Sequence, residues 1–454
     1  MPKGRRAPSM KSFVISLPVR KEMAAQAAGG APAPIPLIIS VENSESHPDL
    51  GLQPAKDMTK EFLQGKTARI TESDYYIFTS LLPADIEELA QKDWIYQIWK
   101  DETCYSHLLS STETIKASPS WRTFDARGKG ITWAVLDTGI RAEHPHFKPF
   151  ATIDLGLSRN FSLSSTLDDL NGHGTHVAGI IAGASQAKED HAPYRAARFV
   201  EEQSEPEVMD LDGCPSGVAP LAKLVNIKVL NDDGTGAASA AILGLEYLQK
   251  VNQANSVAKI DGVNMSLGYP YDPQIYGCGH SPLCREVTRA VKSGLVVVIS
   301  CGNSGYGNIT LSTGQEAPAG FSLSITDPAN TDAALAVGSV HKTAPHLYGV
   351  SYFSSKGPTS DGRMKPDLVA PGEKVISCSI HLDKGYEYEE GSGTSVAAPH
   401  VSGAVAAFLS VHAEFKGNPW QIKQILAKSA IDLGRDRSFQ GAGLLNLLQA
   451  LMGV

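Results

Sequence analysis

From residue 128 onward the sequence predicts an α/β domain of three layers, a mainly parallel sheet with helices on both faces. Three observations carry this. Short apolar runs such as "TWAVL", "LVNIKVL" and "LVVVI" have no polar alternation, so they read as strands buried on both sides. Segments with helical spacing, such as "SAAILGLEYLQK" and "CREVTRAVKSG", stand between them. The two kinds alternate along the chain, as parallel strands joined by crossover helices require.

The elements follow in order. Residues 1–33 read as a flexible tail, basic at first and then the Ala/Pro/Gly-rich linker "AAQAAGGAPAPIP". Over 34–104 a small α+β unit is predicted. "PLIISV" is a strand and "AKDMTKEFLQG" a helix ended by Gly65; "YYIFTSLL" is a strand, "PADIEELAQK" a helix opening on Pro83, and "WIYQIW" a strand. Residues 105–127 form a polar connector. In 128–454 the predicted succession is "GITWAVLD" strand, "GTHVAGIIAGA" helix, "AKLVNIKVL" strand, "SAAILGLEYLQK" helix, "GVNMSLG" strand, "CREVTRAVKSG" helix and "LVVVISCGN" strand. Residues 185–216 are long, charged and aperiodic. They read as a surface insertion, or as a loop that gates or extends a binding cleft. No internal repeat is present.

The chain has 454 residues, 42% hydrophobic and 19% charged, enough apolar material for a sizeable core. A net charge of −8 argues against nucleic acid or an anionic membrane as partner. The longest apolar runs are too short to span a bilayer. The N-terminal apolar patch "FVISLPV" is broken by Pro18, so no secretory signal is read. A cytoplasmic location is expected, with export by another route as the alternative. The six cysteines lack CxxC spacing, and no zinc site is expected. Cys278 and Cys284 lie close in sequence; free thiols are preferred over a local disulfide.

Three polar residues stand at places where chemistry is done. Ser395 in "GSGTSVAAPHVSG" follows a Gly-Ser-Gly turn and opens a small-residue helix. There it caps the helix or serves as a nucleophile beside unpaired amides. Asp137 closes the buried strand "WAVLD", where an unpaired carboxylate would be costly. His173 opens a helix in "NGHGTHVAG"; His176, one turn on, reads as a packed or hydrogen-bonded structural histidine. A serine nucleophile needs a base in reach and an acid that orients the base.

"DTGI", "NGHGTHVAG" and "GTSVAAPHVSG", in this order, closely resemble the three catalytic motifs of the subtilisin-like serine proteases, the subtilases. "SGVAPLAKLVNIKVLNDDGTG", "VNMSLG", "SCGN" and "FSSKGPTSDGRMKPDLVAPG" resemble further segments of that family. The resemblance runs from residue 128 to the C-terminus and implies a subtilisin-like three-layer fold and serine endopeptidase activity. It assigns Asp137 as orienting acid, His173 as general base, Ser395 as nucleophile and Asn303 as oxyanion-hole amide. It makes Gly234, Thr235 and Gly236 one edge that pairs with extended peptide, and Ser266, Leu267 and Gly268 the other. Gly302 belongs to the same substrate-binding surface. Ser304 stands where some relatives carry a carboxylate, so no strong preference for Lys or Arg before the scissile bond is expected. No cofactor is implied. The family commonly has a calcium-binding aspartate where His146 stands, so that site is expected to be altered.

The small N-terminal unit resembles the α+β (ferredoxin-like) pro-domain of many subtilases. That implies a folding assistant and intramolecular inhibitor, hence a zymogen. A self-cut is expected between Cys104 and Ser111. Two rivals stand beside a protease acting on polypeptides. One is a subtilase-like peptide ligase or macrocyclase, with 185–216 shielding the site. The other is a non-catalytic binding module on a protease fold.

Overall fold

The computed structural model describes residues 14–29, 32–41, 52–67, 69–101, 110–188, 192–200, 205–254, 260–312 and 314–454. The chain divides into two compact units, Met1–Tyr105 and Ser106–Val454.

The first unit is built on a four-stranded antiparallel sheet, in the order Thr71–Glu72, Tyr76–Leu81, Ile35–Val41, Ile95–Lys100. Alternate residues of Tyr76–Leu81 are buried, the pattern of a sheet with one packed face. Leu37, Ile39, Ile77, Ile98, Leu63 and Ile86 form the core with the helices Leu52–Leu63 and Pro83–Leu89. The short strand Thr71–Glu72 escaped prediction because only two residues pair. The expected tail is corrected in its second half. Ile15 bridges Ile98, and Leu17–Gly29 is a helix that buries Val19. Pro18 does not break structure there; it occupies the first turn of that helix, where a missing N–H costs nothing.

The second unit holds a seven-stranded, wholly parallel sheet. Its order is Leu368–Glu373, Leu335–His341, Val296–Ser300, Gly262–Met265, Thr132–Asp137, Lys223–Lys228, Arg159–Asn160. Thr132–Asp137, Lys223–Lys228, Val296–Ser300 and Leu335–His341 each serve two cores, as their apolar runs require. Trp133 and Val135 point to one face, against the helices His173–Ile181 and Thr394–Val411. Ala134 and Leu136 point to the other, against Ala238–Gln253 and Pro282–Lys292. Thr394–Val411 is the one helix among the described residues that is long and apolar enough to cross a bilayer, and 83% of it is buried in this core.

Two sequence expectations are corrected here. The connector is not loose over its second half. Ser110–Thr114 and Ala117–Phe124 are helices, Ile115 and Ala117 are fully buried, and Trp121 Nε1 donates to the Val218 carbonyl at 2.9 Å. The i, i+4, i+7 spacing of Ala117, Trp121 and Phe124 already had a helical period. Residues 185–216 are not aperiodic either. Tyr194–Arg198 and Glu207–Leu211 form an antiparallel pair, and Tyr194–Arg198 adds in parallel to Tyr388–Gly391, which pairs in turn with Val375–Cys378. Buried Ala197 and exposed Val208 break the alternation of that pair. A further hairpin, Tyr306–Thr310 with Glu316–Gly320, follows Asn303 and was not foreseen. Its residues are mostly exposed, so burial never imposed a strand pattern on its sequence.

Candidate active site

The carboxyl ends of the parallel strands open onto one cleft of about 650 Å³, the position expected for a site in such a sheet. His173, Ser395, Asn303, Gly302, Gly234, Thr235, Gly236, Ser266, Leu267 and Gly268 all line it. Asp137 lies beneath, at 1% side-chain exposure, with its Oδ1 2.7 Å from His173 Nδ1. The same Oδ1 accepts from the Thr138 amide at 2.7 Å. Burial opposes a charge on His173, but the Asp137 carboxylate and its hydrogen bond outweigh burial and raise the imidazole pKa above its ordinary value.

Asp169 organises this corner, and sequence reading passed over it. Its side chain is fully buried. Oδ1 accepts from the Thr138 hydroxyl (2.9 Å) and the amides of Asn171 (3.0 Å) and Gly172 (2.9 Å). Oδ2 accepts from the Thr175 amide (2.8 Å) and hydroxyl (2.7 Å). One carboxylate thus ties the residue after Asp137 to the first turn of the helix that begins at His173. The signal in the sequence was an aspartate three residues ahead of Gly172, the residue that caps this helix.

Ser395 stands in the first turn of Thr394–Val411, where amides have no partner within the helix. Gly393 before it must lack a side chain, since a Cβ there would come within 2.9 Å of Ser395 Oγ and 3.4 Å of Asn303 Nδ2. Ser395 Oγ and the Asn303 amide therefore crowd the same bare backbone. Asn303 Oδ1 accepts from the Thr394 amide at 2.9 Å and its hydroxyl at 3.0 Å. Those donors fix the amide's orientation and leave Nδ2 as the free end. From the sheet side, Ser266 Oγ donates to the Ser395 carbonyl at 2.7 Å. Asn264 Nδ2 donates to Ser266 Oγ at 2.9 Å, and Ser402 Oγ to Asn264 Oδ1 at 2.8 Å.

The strand Tyr388–Gly391 leads directly into this turn. The residue-185–216 hairpin grips it, with Lys188 Nζ 2.7 Å from Glu387 Oε1 and Arg198 3.3 Å from Glu390. The Tyr194 and Tyr388 rings meet edge to face at 5.7 Å. None of the hairpin's described residues lines the cleft. His176 is structural: its Nε2 lies 3.3 Å from the Glu389 carbonyl, and burial lowers its pKa to about 4.

His146 is packed among His144, Phe147 and Tyr388, its Nδ1 3.2 Å from the Tyr388 hydroxyl. Calcium takes oxygen ligands. An imidazole in an aromatic box does not supply one, so this position does not fit the ion. Among the described residues no group of three or more His, Cys, Asp or Glu side chains could hold a metal. Cys278 and Cys284 are both free thiols.

Comparison with known proteins identifies the family. The model of the Subtilase family matches residues 128–444. The chain is 32% identical to Serine protease AprX of Bacillus subtilis (strain 168) over 341 residues, 72% of this chain and 67% of that one. It is 32% identical to Intracellular serine protease of Paenibacillus polymyxa, covering 78% and 89% of the two chains. With Subtilisin E of Bacillus subtilis (strain 168) the identity is 28%, over 94% of this chain and 93% of the other. The chain belongs to the subtilase family and is a subtilisin-like serine endopeptidase.

Proposed function

We propose that peptide hydrolysis runs through an acyl-enzyme on Ser395 and that the chain is made as a self-inhibited zymogen. The observation that carries the first part is the 2.7 Å contact of His173 with buried Asp137 on the wall of the cleft that also exposes Ser395 and Asn303. With Nδ1 donating to Asp137, His173 Nε2 is the basic nitrogen. It takes the Ser395 Oγ proton as Oγ bonds to the scissile carbonyl carbon. The carbonyl oxygen becomes an oxyanion, which accepts hydrogen bonds from Asn303 Nδ2 and the Ser395 amide. The C–N bond then breaks and the imidazolium gives its proton to the leaving amine. Water, deprotonated by His173, attacks the acyl carbon and frees Ser395. The substrate lies extended along Gly234–Gly236 and Ser266–Gly268, backbone to backbone.

The zymogen reading is supported by the small unit's two-layer α+β build and by the alignment with Subtilisin E, which reaches through it. The expected self-cut between Cys104 and Ser111 falls largely on residues 102–109, outside the described residues. Relatives that are intracellular serine proteases support a cytoplasmic location. The ligase alternative rested on a shielding insertion, and none of the described residues of 185–216 lines the cleft.

The test is expression of the full chain with sequencing of any new N-terminus. The parent should cut itself at a rate that dilution does not slow, because a tethered bond reacts intramolecularly. Ser395→Ala should stay full-length and take up no fluorophosphonate. A stable, fully active 454-residue chain would overturn the zymogen reading; an alanine variant as active as the parent would overturn the nucleophile.

A further inference from the structure

The hairpin Tyr306–Thr310 with Glu316–Gly320 grows out of the cleft wall. It leaves from Ser304 and returns to Thr326, and both of those residues line the cleft. Its two strands pair with each other and with no other strand among the described residues. A lone ribbon of this kind is marginal in water unless something covers one of its faces. The faces differ. The register sets Gly307 opposite Ala319 and Ile309 opposite Ala317, so these residues share one face. Leu311, whose amide donates to the Gln315 carbonyl at 2.8 Å, continues it toward the tip. The other face is polar, and there Asn308 Nδ2 donates to Glu316 Oε2 at 3.3 Å. Only the base of the apolar face is occupied: a Cβ on Gly307 would come within 3.1 Å of Phe321 Cε2. Toward the tip it is open, with Ile309 40% and Leu311 41% exposed.

We propose that this apolar face is an exosite for the substrate polypeptide, which takes a segment of unfolded chain carrying large apolar side chains next to the part held in the cleft. The proposal rests on the reading of the Ser395 cleft as the place where peptide is cut. The occupant follows from continuity. Substrate in the cleft lies at the root of the hairpin, and the five residues of Tyr306–Thr310 reach about 17 Å farther, the span of about five more extended substrate residues. Unfolded chains present the Leu, Ile, Val and Phe side chains that folded proteins keep inside. Apolar contact with Ile309 and Leu311 is the same before and during the reaction, so it lowers KM and leaves kcat unchanged.

The experiment follows cleavage of one bond in three synthetic substrates, with the products identified by mass spectrometry. The first is a tetrapeptide amide confined to the cleft. The second is the same sequence extended at both ends by about eight residues of Ser and Leu, and the third by the same length of Ser and Gly. The parent should cut the Leu-bearing substrate with kcat/KM about tenfold above the other two, the gain lying in KM. Ile309→Ser combined with Leu311→Ser should abolish that advantage and leave the tetrapeptide rate unchanged. Asn308→Ser, on the opposite face, should keep it. A parent that cuts all three substrates alike overturns the proposal, even if the double variant fails to fold. So does a double variant that keeps the advantage, or an equal loss in Asn308→Ser. If a second copy of the chain covers the face instead, the Ser395→Ala protein sediments as a dimer that the double change dissociates, and that result also overturns the proposal. Failure of the underlying catalytic reading looks different: none of the substrates is cut, and fluorophosphonate does not label Ser395.

Discussion

Asn303 and Ser395 face one another across a residue that has no side chain, and this sets what each substitution does. In the proposed mechanism, Asn303 Nδ2 meets charge that exists only once Ser395 has attacked. Asn303→Ala should therefore lower kcat by about 10²–10³-fold, as in other oxyanion holes, with KM little changed. A change confined to KM would assign the amide to ordinary binding. His173 sets the acid limb of the rate. It must be neutral to accept the serine proton, and Asp137 holds its pKa above the ordinary 6.5. Activity should accordingly fall as pH drops through a value above 6.5. Asp169 adds to the negative field at His173. Asp169→Asn should move the limb of kcat/KM to lower pH and reduce kcat, because the amide cannot accept all five hydrogen bonds. An unmoved limb, read from the pH profile, would leave Asp169 with no influence on the imidazole.

At the scale of elements, the hairpin Tyr194–Leu211 acts on the strand that delivers Ser395. Its grip is apolar more than ionic. Tyr194 is 6% exposed and packs on fully buried Tyr388, whereas Arg198 is 40% exposed. Truncating a buried ring costs about 3–5 kcal/mol; an exposed ion pair contributes about 0.2–1 kcal/mol. Tyr194→Ala should thus lower the urea midpoint strongly and Arg198→Ala hardly at all, both measured on a Ser395→Ala background that prevents self-digestion. Equal effects would reverse the ranking. The same elements mark what the sequence could convey. Strands buried on both faces, such as Thr132–Asp137 and Val296–Ser300, announced themselves by unbroken apolar runs. The glycine-bounded turns around His173 and Ser395 stood out because close backbone approach leaves few alternatives. Asp169 and Ser402 did not stand out. Each acts through partners distant in sequence or through a hydroxyl or carboxylate common in any turn, and only the fold brings those partners together. The hairpin of Tyr306–Thr310 with Glu316–Gly320 is mostly exposed, and the pair Tyr194–Arg198 with Glu207–Leu211 breaks its alternation at buried Ala197 and exposed Val208, so apolar spacing marked neither.

Among the described residues of the catalytic unit, His144, His146, His176 and His400 are buried and uncharged. Burial lowers the pKa of His144, His176 and His400 to about 4 and of His146 to about 3. Around His144, the Arg141 charge adds to that effect while Glu387 opposes it. In the unfolded chain each would take up a proton near pH 6.5. The unfolded state therefore binds more protons below that pH, and stability falls by roughly 1.4 kcal/mol per pH unit for each such group between about 6.5 and 4. His173 has the opposite sign. Its raised pKa stabilises the fold below 6.5 and loses that contribution as pH rises through the folded value. Four groups against one leave a net loss in acid. Urea midpoints of the Ser395→Ala protein should drop steeply from pH 7 to pH 5; a level or rising midpoint would mean that these rings are charged or exposed.

The strand Thr132–Asp137 sits in the interior of the parallel sheet, between Lys223–Lys228 and Gly262–Met265. Both neighbours are synthesised long after it. Every hydrogen bond it makes in the sheet therefore closes a long loop, whose entropy must be lost before any contact compensates. Pairings of that kind put a domain among the slow folders, in the range of milliseconds to seconds or beyond. Until the later strands emerge from the ribosome, "TWAVLD" is an apolar segment with two unsatisfied edges. The connectivity that gathers the catalytic residues at one end of the sheet thus also leaves the nascent chain open to aggregation for much of its synthesis.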